Sequence, residues 1–454
     1  MTAATLFGLP IIDPYAFDRP PTADFEYKSY YSDPRYAVNP AYANPTSGYT
    51  IQFLDRSTDP DNEDNAQSQI KKFLGYRIPQ PLSYSWYVDD QLVATSRDFA
   101  TKLPAESFGV AHKVKLSVSD GSNQSGKEEV VTVDPDQLYP SSSLDVSVKG
   151  AVYYVDCSVP RVGPELREQY LRSDMNLIRD ELGCNGIRVS SCWCVGLVPD
   201  WEEELIRSAE IAIETGFDNV TVGPHYLDAT LDETVERVRA FAPRVEKLRK
   251  ISDAIVFQVG TELSIVARGI CMGQSYSARA DEIDRNVDNP GYHARLNDFL
   301  KRLVSASRDS YGGKLSYAAH PAEWAILWDE LDLDIIGQQQ YWWPECTDEK
   351  WVDIFRRLNQ FGKPVHITEF GCRTYEGGFE LGGSGRYTVG DYDEEAQAKG
   401  IKHYLDVINA SNVNGCFLFI FRDASPDLFA RFSLVDNKHR KKSFYIYKSY
   451  QMSG

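Results

Sequence analysis

The chain has 454 residues, and its first 47 carry no clear hydrophobic period. They are rich in Pro, Tyr and Asp, which predicts an irregular arm over 1–47. From residue 48 apolar and polar positions alternate. "YTIQF" puts Tyr49, Ile51 and Phe53 on one face; "LSYSWYV" (82–88) and "KVKLSVSDG" (113–121) alternate likewise, the latter through Val114, Leu116 and Val118. "EEVVTVDP" closes the set. Short alternating strands punctuated by Asp, Pro, Gly and Asn predict a small all-β sandwich over 48–134. "DPDQLYPSSSLD" then has the composition of a linker, placed at 135–149.

Beyond it the period changes. Apolar runs alternate with stretches of helical spacing: "AVYYVDCS", "NGIRVS", "NVTVGP", "AIVFQVGTE", "KLSYAAH", "DIIGQQQY", "PVHITEFG" and "GCFLFIF". The intervening helices carry apolar stripes such as Leu171, Met175, Ile178 and Leu182. A second stripe is Val235, Val238, Phe241, Val245 and Leu248; a third is Leu296, Phe299 and Leu303. Eight such units over 150–454 predict an α/β fold, a (β/α)8 TIM barrel following an N-terminal immunoglobulin-like sandwich. The barrel strands are near-continuously apolar, as strands covered on both faces must be.

Composition changes this picture in a few respects. Hydrophobic residues make up 42% and aromatics 12%, with 27 Tyr and 8 Trp, enough for a packed interior and an aromatic binding surface. The formal net charge of −18 argues against nucleic acid as partner, because phosphate binding needs clustered Lys and Arg. No run of about 18 apolar residues is present, so no membrane span is expected. The N-terminal residues lack the basic flank and apolar stretch of a secretory leader, and the compartment stays open, as does the oligomeric state. The cysteines are Cys157, Cys184, Cys192, Cys194, Cys271, Cys346, Cys372 and Cys416. None forms a CxxC pair, and "CWC" is too tight for a zinc knuckle, so buried reduced thiols are expected, with one or two disulfides as the alternative, and neither metal nor cofactor is.

In a TIM barrel chemistry sits at the C-terminal ends of the strands. Those positions are Asp156, Arg188, His225, Glu262, His320, Tyr341, Glu369 and Arg422 with Asp423, a nearly complete polar rim. Glu262 ends the fourth strand and Glu369 the seventh, so the two carboxyl groups can converge over the mouth. Cleaving a glycosidic bond needs such a pair, one carboxyl protonated to serve the leaving oxygen and one ionised.

"TEFG" (368–371), "NGIRV" (185–189) and the closing "FSLVDNKHRKKSFYIYKSY" (432–450) resemble clan A of the retaining glycoside hydrolases. The resemblance implies Glu262 as general acid/base and Glu369 as nucleophile. It further implies that Arg188 and Tyr341 hold the nucleophile and that His225 and His320 line the pocket. Thr261 stands where that clan usually has Asn contacting the sugar 2-hydroxyl, and the frequent Trp platform of strand eight is replaced by Phe419, Phe421 and Arg422. The stretches "FLDRSTDPDNE", "LSYSWYVDD" and "KVKLSVSDGSNQSG" resemble the PKD-type module, with "NAQSQIKKFLGYRIPQP" as an insertion. That module leans extracellular and implies a spacer or adhesion unit rather than chemistry.

Sugar rings stack on flat aromatic faces. Trp193 and Trp342 are the foremost candidates, with Trp324, Trp328 and Trp343 behind them; His366, inside strand seven, reads as core or as a support just behind the site. The glycine-rich loop 375–395 follows Glu369 and has the length of a lid. The expected partner is an oligo- or polysaccharide, a β-linked glucan or mannan first. A metal-dependent amidohydrolase would want an HxH on strand one, which "YYVDCS" lacks. A phosphate-binding barrel would want a glycine-rich turn after strand seven or eight. A glycan-binding barrel without catalysis, and a transglycosylase, remain as alternatives.

Overall fold

The computed structural model describes residues 20–32, 48–59, 81–104, 111–132, 141–155, 158, 164–191, 200–380, 392–422, 432–435 and 440–453. The chain divides near Pro135 into two compact units.

The first unit holds two antiparallel sheets. β1 (Phe25–Ser32), β2 (Gly48–Asp55) and β5 (Phe99–Pro104) form one; β3 (Ser83–Val88), β4 (Gln91–Ala94), β6 (Ala111–Ser119) and β7 (Gln124–Thr132) form the other, in the order β4-β3-β6-β7. Phe25, Phe53 and Phe99 from the first sheet meet Trp86 from the second, with ring centroids 5.1–5.7 Å from the indole. The indole N–H of Trp86 donates to the Ser96 carbonyl at 3.0 Å, so burying this large ring leaves no donor unmet. Val114, Leu116 and Val118 are buried on one face of β6, as their alternation predicts. β1 corrects the expectation of an irregular arm over 1–47. "FEYK" does alternate, but it becomes a strand because all eight of its residues pair with β2, from Phe25 opposite Asp55 to Ser32 opposite Gly48.

The second unit is a closed barrel of eight parallel strands. A short strand, β8 (Ser142–Leu144), precedes it. The staves are β9 (Val148–Tyr154), β10 (Gly186–Ser190), β11 (Asn219–Gly223), β12 (Ile255–Thr261), β13 (Lys314–Ala319), β14 (Ile335–Gln339), β15 (Val365–Phe370) and β16 (Gly415–Leu418). β16 pairs back onto β9, and β17 (Tyr450–Met452) pairs with β8. The expected linker 135–149 therefore contains β8 and the start of β9.

The apolar stripes expected from the sequence lie inward. Val235, Val238, Phe241, Val245 and Leu248 are all buried on the helix Leu231–Arg249, which opens with a Thr230–Glu233 capping box. Leu171 and Met175 are buried on the helix Pro164–Asn176, while Ile178 lies in the π-helical turn Leu177–Glu181 that follows. One unit departs from the expected eightfold alternation: between β13 and β14 stand only two 3₁₀ turns, Pro321–Glu323 and Trp328–Glu330.

Two staves carry an irregularity near their C-terminal ends. Between Gln258 and Thr261, β12 spans three steps while β13 takes two; β15 runs one residue ahead of both neighbours between Ile367 and Phe370. An extra residue of this kind reverses the in-out alternation and re-aims the side chains beyond it.

Arg422, at the end of the eighth run, points away from the mouth. Its Nε and Nη2 donate to Asp174 at 2.9 and 2.6 Å, and Tyr153 Oη donates to the same carboxylate at 3.0 Å. Asp174 is fully buried and Arg422 nearly so. Removing one partner of such a pair strands the other charge in a low-dielectric interior. Asp174→Ala should accordingly lower the unfolding free energy by about 3–5 kcal/mol, read from chemical denaturation. A loss under about 1 kcal/mol, typical of an exposed pair, would contradict this account.

Cys184, Cys271, Cys346, Cys372 and Cys416 are free and buried, as expected; burial pushes the Cys184 thiol up to about 11. Cys157, Cys192 and Cys194 lie outside the described residues. Among the described residues no helix is long and apolar enough to cross a membrane.

Candidate active site

Arg188 organises the centre. It stands in β10, fully buried, and its planar guanidinium reaches three neighbours. Nε donates to Gln258 Oε1 at 2.9 Å, Nη2 to Thr261 Oγ1 at 2.9 Å, and Nη1 to Glu369 Oε1 at 2.6 Å. Gln258 and Thr261 are three apart and would face opposite ways in a regular strand. The extra residue in β12 brings both to the same guanidinium. Gln258 Nε2 also donates to Thr261 Oγ1, so the threonine oxygen accepts two bonds and keeps its own proton to give.

Glu369, in β15, is 5% exposed. Besides Arg188 its Oε1 accepts from Tyr154 Oη at 3.2 Å, and its Oε2 accepts from Tyr341 Oη at 2.8 Å. Burial, then the charge of Glu369, raises both phenols well above their ordinary value, so they remain donors. Both rings are fixed by apolar neighbours: Tyr154 meets Phe419 at 5.7 Å, and Tyr341 meets Phe419 and Phe432 at 6.2 and 6.1 Å.

Glu262 follows β12 in the left-handed region, with φ 44° and ψ 45°. A non-glycine residue there is strained, and such strain persists only where the surroundings impose it. Its amide donates to the Ala318 carbonyl at 2.9 Å, and its own carbonyl accepts from Ile265 and Val266. Burial drives the Glu262 carboxyl well above its ordinary value; the charges of Glu369 and Glu323 push the same way, and Arg188 opposes them. The carboxyl is thus held toward its protonated form while sensing the carboxylate of β15.

The two rim histidines are both neutral, with opposite tautomers. His225 Nδ1 lies 2.6 Å from the Ser191 carbonyl, which accepts its proton; Nε2 is a buried acceptor with no partner among the described residues. Burial, aided by Arg188, lowers its pKa to about 3. Its ring stands edge-on to Tyr154 at 6.1 Å. His320 Nδ1 instead accepts from the Ala322 amide at 3.1 Å, leaving the proton on Nε2, and burial lowers its pKa to about 4. His366 is buried against Phe417, the core position expected of it.

The expectation that Trp342 offers a sugar platform does not hold. The ring is only 9% exposed, lying against Trp351 at 5.8 Å and Phe379 at 4.8 Å, with His403 edge-on. Trp328 is buried as well, whereas Trp324 is 58% exposed. Trp193, Asp156, Asp423 and residues 381–391 of the loop expected as a lid lie outside the described residues.

Three contributors escape the strand-end rule. Tyr154 ends β9 two residues before the predicted terminus at Asp156. Gln258 is mid-strand. Glu323 sits in a 3₁₀ turn whose only signal is a Pro-containing break after "AAH". No metal-sized group of His, Cys, Asp or Glu occurs among the described residues.

No known family model matches the chain, and no curated protein does. Solved structures are similar to it in fold. A GH113 beta-1,4-mannanase aligns at 15% identity with a TM-score of 0.49, over 67% of this chain and 98% of its own. PbGH5A, a glycoside hydrolase family 5 enzyme from Prevotella bryantii B14, aligns at 14% and 0.45, over 69% and 99%. The Parabacteroides merdae beta-glucuronidase aligns at 13% and 0.45, over 95% of this chain and 53% of the enzyme.

Proposed function

We propose that the chain is a retaining glycoside hydrolase acting on β-linked glycans, a glucan or mannan first. The observation that supports this best is the inequality of its two carboxyl groups. Glu369 accepts bonds from Arg188, Tyr154 and Tyr341, whereas Glu262 has no such cation or donor on its side chain among the described residues and is pushed toward the acid form. One group is built to attack as a carboxylate and the other to donate a proton.

In this reading Glu369 Oε2 or Oε1 attacks the anomeric carbon as Glu262 protonates the departing oxygen. A glycosyl ester forms on Glu369. Glu262, now a base, takes a proton from water, which attacks the anomeric carbon, breaks its bond to the Glu369 oxygen and frees the carboxylate. A sugar hydroxyl in place of water would make the same site a transglycosylase. His225 Nε2 supplies an acceptor and His320 Nε2 a donor for sugar hydroxyls, and the Thr261 hydroxyl has one proton left for the 2-hydroxyl. We take the all-β unit over 48–134, with β1 added, as an immunoglobulin-like spacer of PKD type.

The test is stereochemical. Proton NMR of the first-formed sugar, recorded before mutarotation, should show the β anomer from a β-glycoside; first release of the α anomer overturns double displacement.

A further inference from the structure

Glu262 occupies the N-cap position of the one-turn helix Leu263–Val266, yet its side chain caps nothing. An acceptor side chain at that position ordinarily bonds the amide two or three residues further on. Here both are taken, the Ser264 amide by another carboxyl and the Ile265 amide by the carbonyl of Glu262 itself. The Leu263 amide donates to Tyr317 Oη at 3.0 Å, and the Ser264 amide donates to Glu323 Oε1 at 2.9 Å. Glu323 is 1% exposed and stands in the 3₁₀ turn that replaces the fifth helix. Its Oε2 accepts from Tyr317 Oη at 2.7 Å and from the His320 amide at 2.9 Å. Burial raises the Glu323 carboxyl above its ordinary value, and the bonds donated by the Ser264 amide, Tyr317 and the His320 amide pull the other way. Tyr292 Oη donates to Ser264 Oγ at 2.9 Å, tying the same turn from behind.

We propose that Glu323 is a positioning residue for Glu262, freeing its carboxyl from the helix cap and placing a second acidic group near it. This rests on the reading of Glu262 as acid/base. The charged and titratable groups facing Glu262 are Glu369 on β15, Arg188 on β10, Tyr154 at the end of β9, Tyr341 after β14, and Glu323. Of these, Arg188 favours ionisation of Glu262 and the two other carboxylates oppose it. Glu323, buried and bonded to the Ser264 amide, takes no part in the glycosyl ester, so it remains a free acid group while Glu369 is esterified. That persistence matters when Glu262 must recover a proton from water.

The test compares the full chain with Glu323→Gln and Glu323→Asp. In protein labelled with ¹³C at glutamate side-chain carboxyls, the Glu262 signal is assigned by its loss in Glu262→Gln. Its titration midpoint should move to lower pH in Glu323→Gln, and the basic limb of kcat/KM should move with it. Turnover of a β-manno- or β-gluco-oligosaccharide should fall about tenfold, while a 2,4-dinitrophenyl glycoside, which needs no acid, should change less than about twofold. Glu323→Asp keeps the acid group but cannot span to the Ser264 amide. Its Glu262 midpoint should stay high while oligosaccharide turnover falls, and this variant carries the test if Glu323→Gln does not fold. An unmoved midpoint in Glu323→Gln, or wild-type turnover in Glu323→Asp, overturns the proposal. A wild-type chain that cleaves no glycoside overturns the hydrolase reading instead, while the midpoints still decide whether Glu323 governs Glu262.

Discussion

Replacing Glu369 with Ala should reduce hydrolysis of every substrate by at least about 10⁴-fold, and added azide should restore turnover as an α-glycosyl azide. In the proposed reaction alanine removes the atom that attacks the anomeric carbon and opens a space on that face. A small anion can enter the space and displace the aglycone directly from the side Glu369 once held. Arg188, Tyr154 and Tyr341, which converge on the lost carboxylate, would present a cation and two hydroxyl donors to the incoming anion. Oxygen-18 or mass analysis is unnecessary, since the azide product and its anomeric configuration are read by NMR. A β-azide, or wild-type turnover without azide, would place the nucleophile elsewhere.

Glu262→Ala should separate substrates by their leaving groups. A dinitrophenolate departs without a proton, so formation of the glycosyl ester should survive. The alkoxide of a second sugar needs one, and cleavage of an oligosaccharide should fall by about 10²–10⁴-fold, the usual contribution of a positioned acid. Azide should now attack the ester on Glu369 and yield a β-glycosyl azide, opposite to the product of the first variant. The wild-type profile should carry a basic limb set by Glu262, displaced upward because burial and the charges of Glu369 and Glu323 disfavour its ionised form. Deprotonation of the acid form above that midpoint removes the proton donor, so activity falls as pH rises. In Glu262→Ala the limb should vanish, and its persistence would assign it to another group.

Both predictions depend on residues that the one-dimensional pattern exposes. Arg188, Glu262 and Glu369 stand where an apolar run meets its first ionisable side chain, and in a closed parallel barrel that point is the mouth. Tyr341 is exposed by the same rule, two residues past the end of β14. Tyr154 is not, because "YYVDCS" shows no break after its second tyrosine, and pairing with β10 rather than composition ends the strand there. Glu323 is hidden for a different reason: a missing helix leaves no period, and only the folded turn carries its carboxylate to the Ser264 amide. Trp342 illustrates the converse. Adjacent tryptophans after a strand look like a binding surface, but Trp351 from the helix that follows and Phe379 from beyond β15 cover the ring.

What the sequence by itself determined was the sequence of staves and the identity of the two carboxyl groups at their ends, because continuous apolar runs and their polar terminations are local properties. The tertiary structure alone decided how those groups differ. An extra residue in β12 turns Gln258 and Thr261 onto one guanidinium, and the left-handed turn at Glu262 is held by Tyr317 and Glu323 from the neighbouring stave. Protonation preference follows from burial and from charges brought together across the barrel, and neither can be read along the chain, because the residues concerned meet only after it has closed.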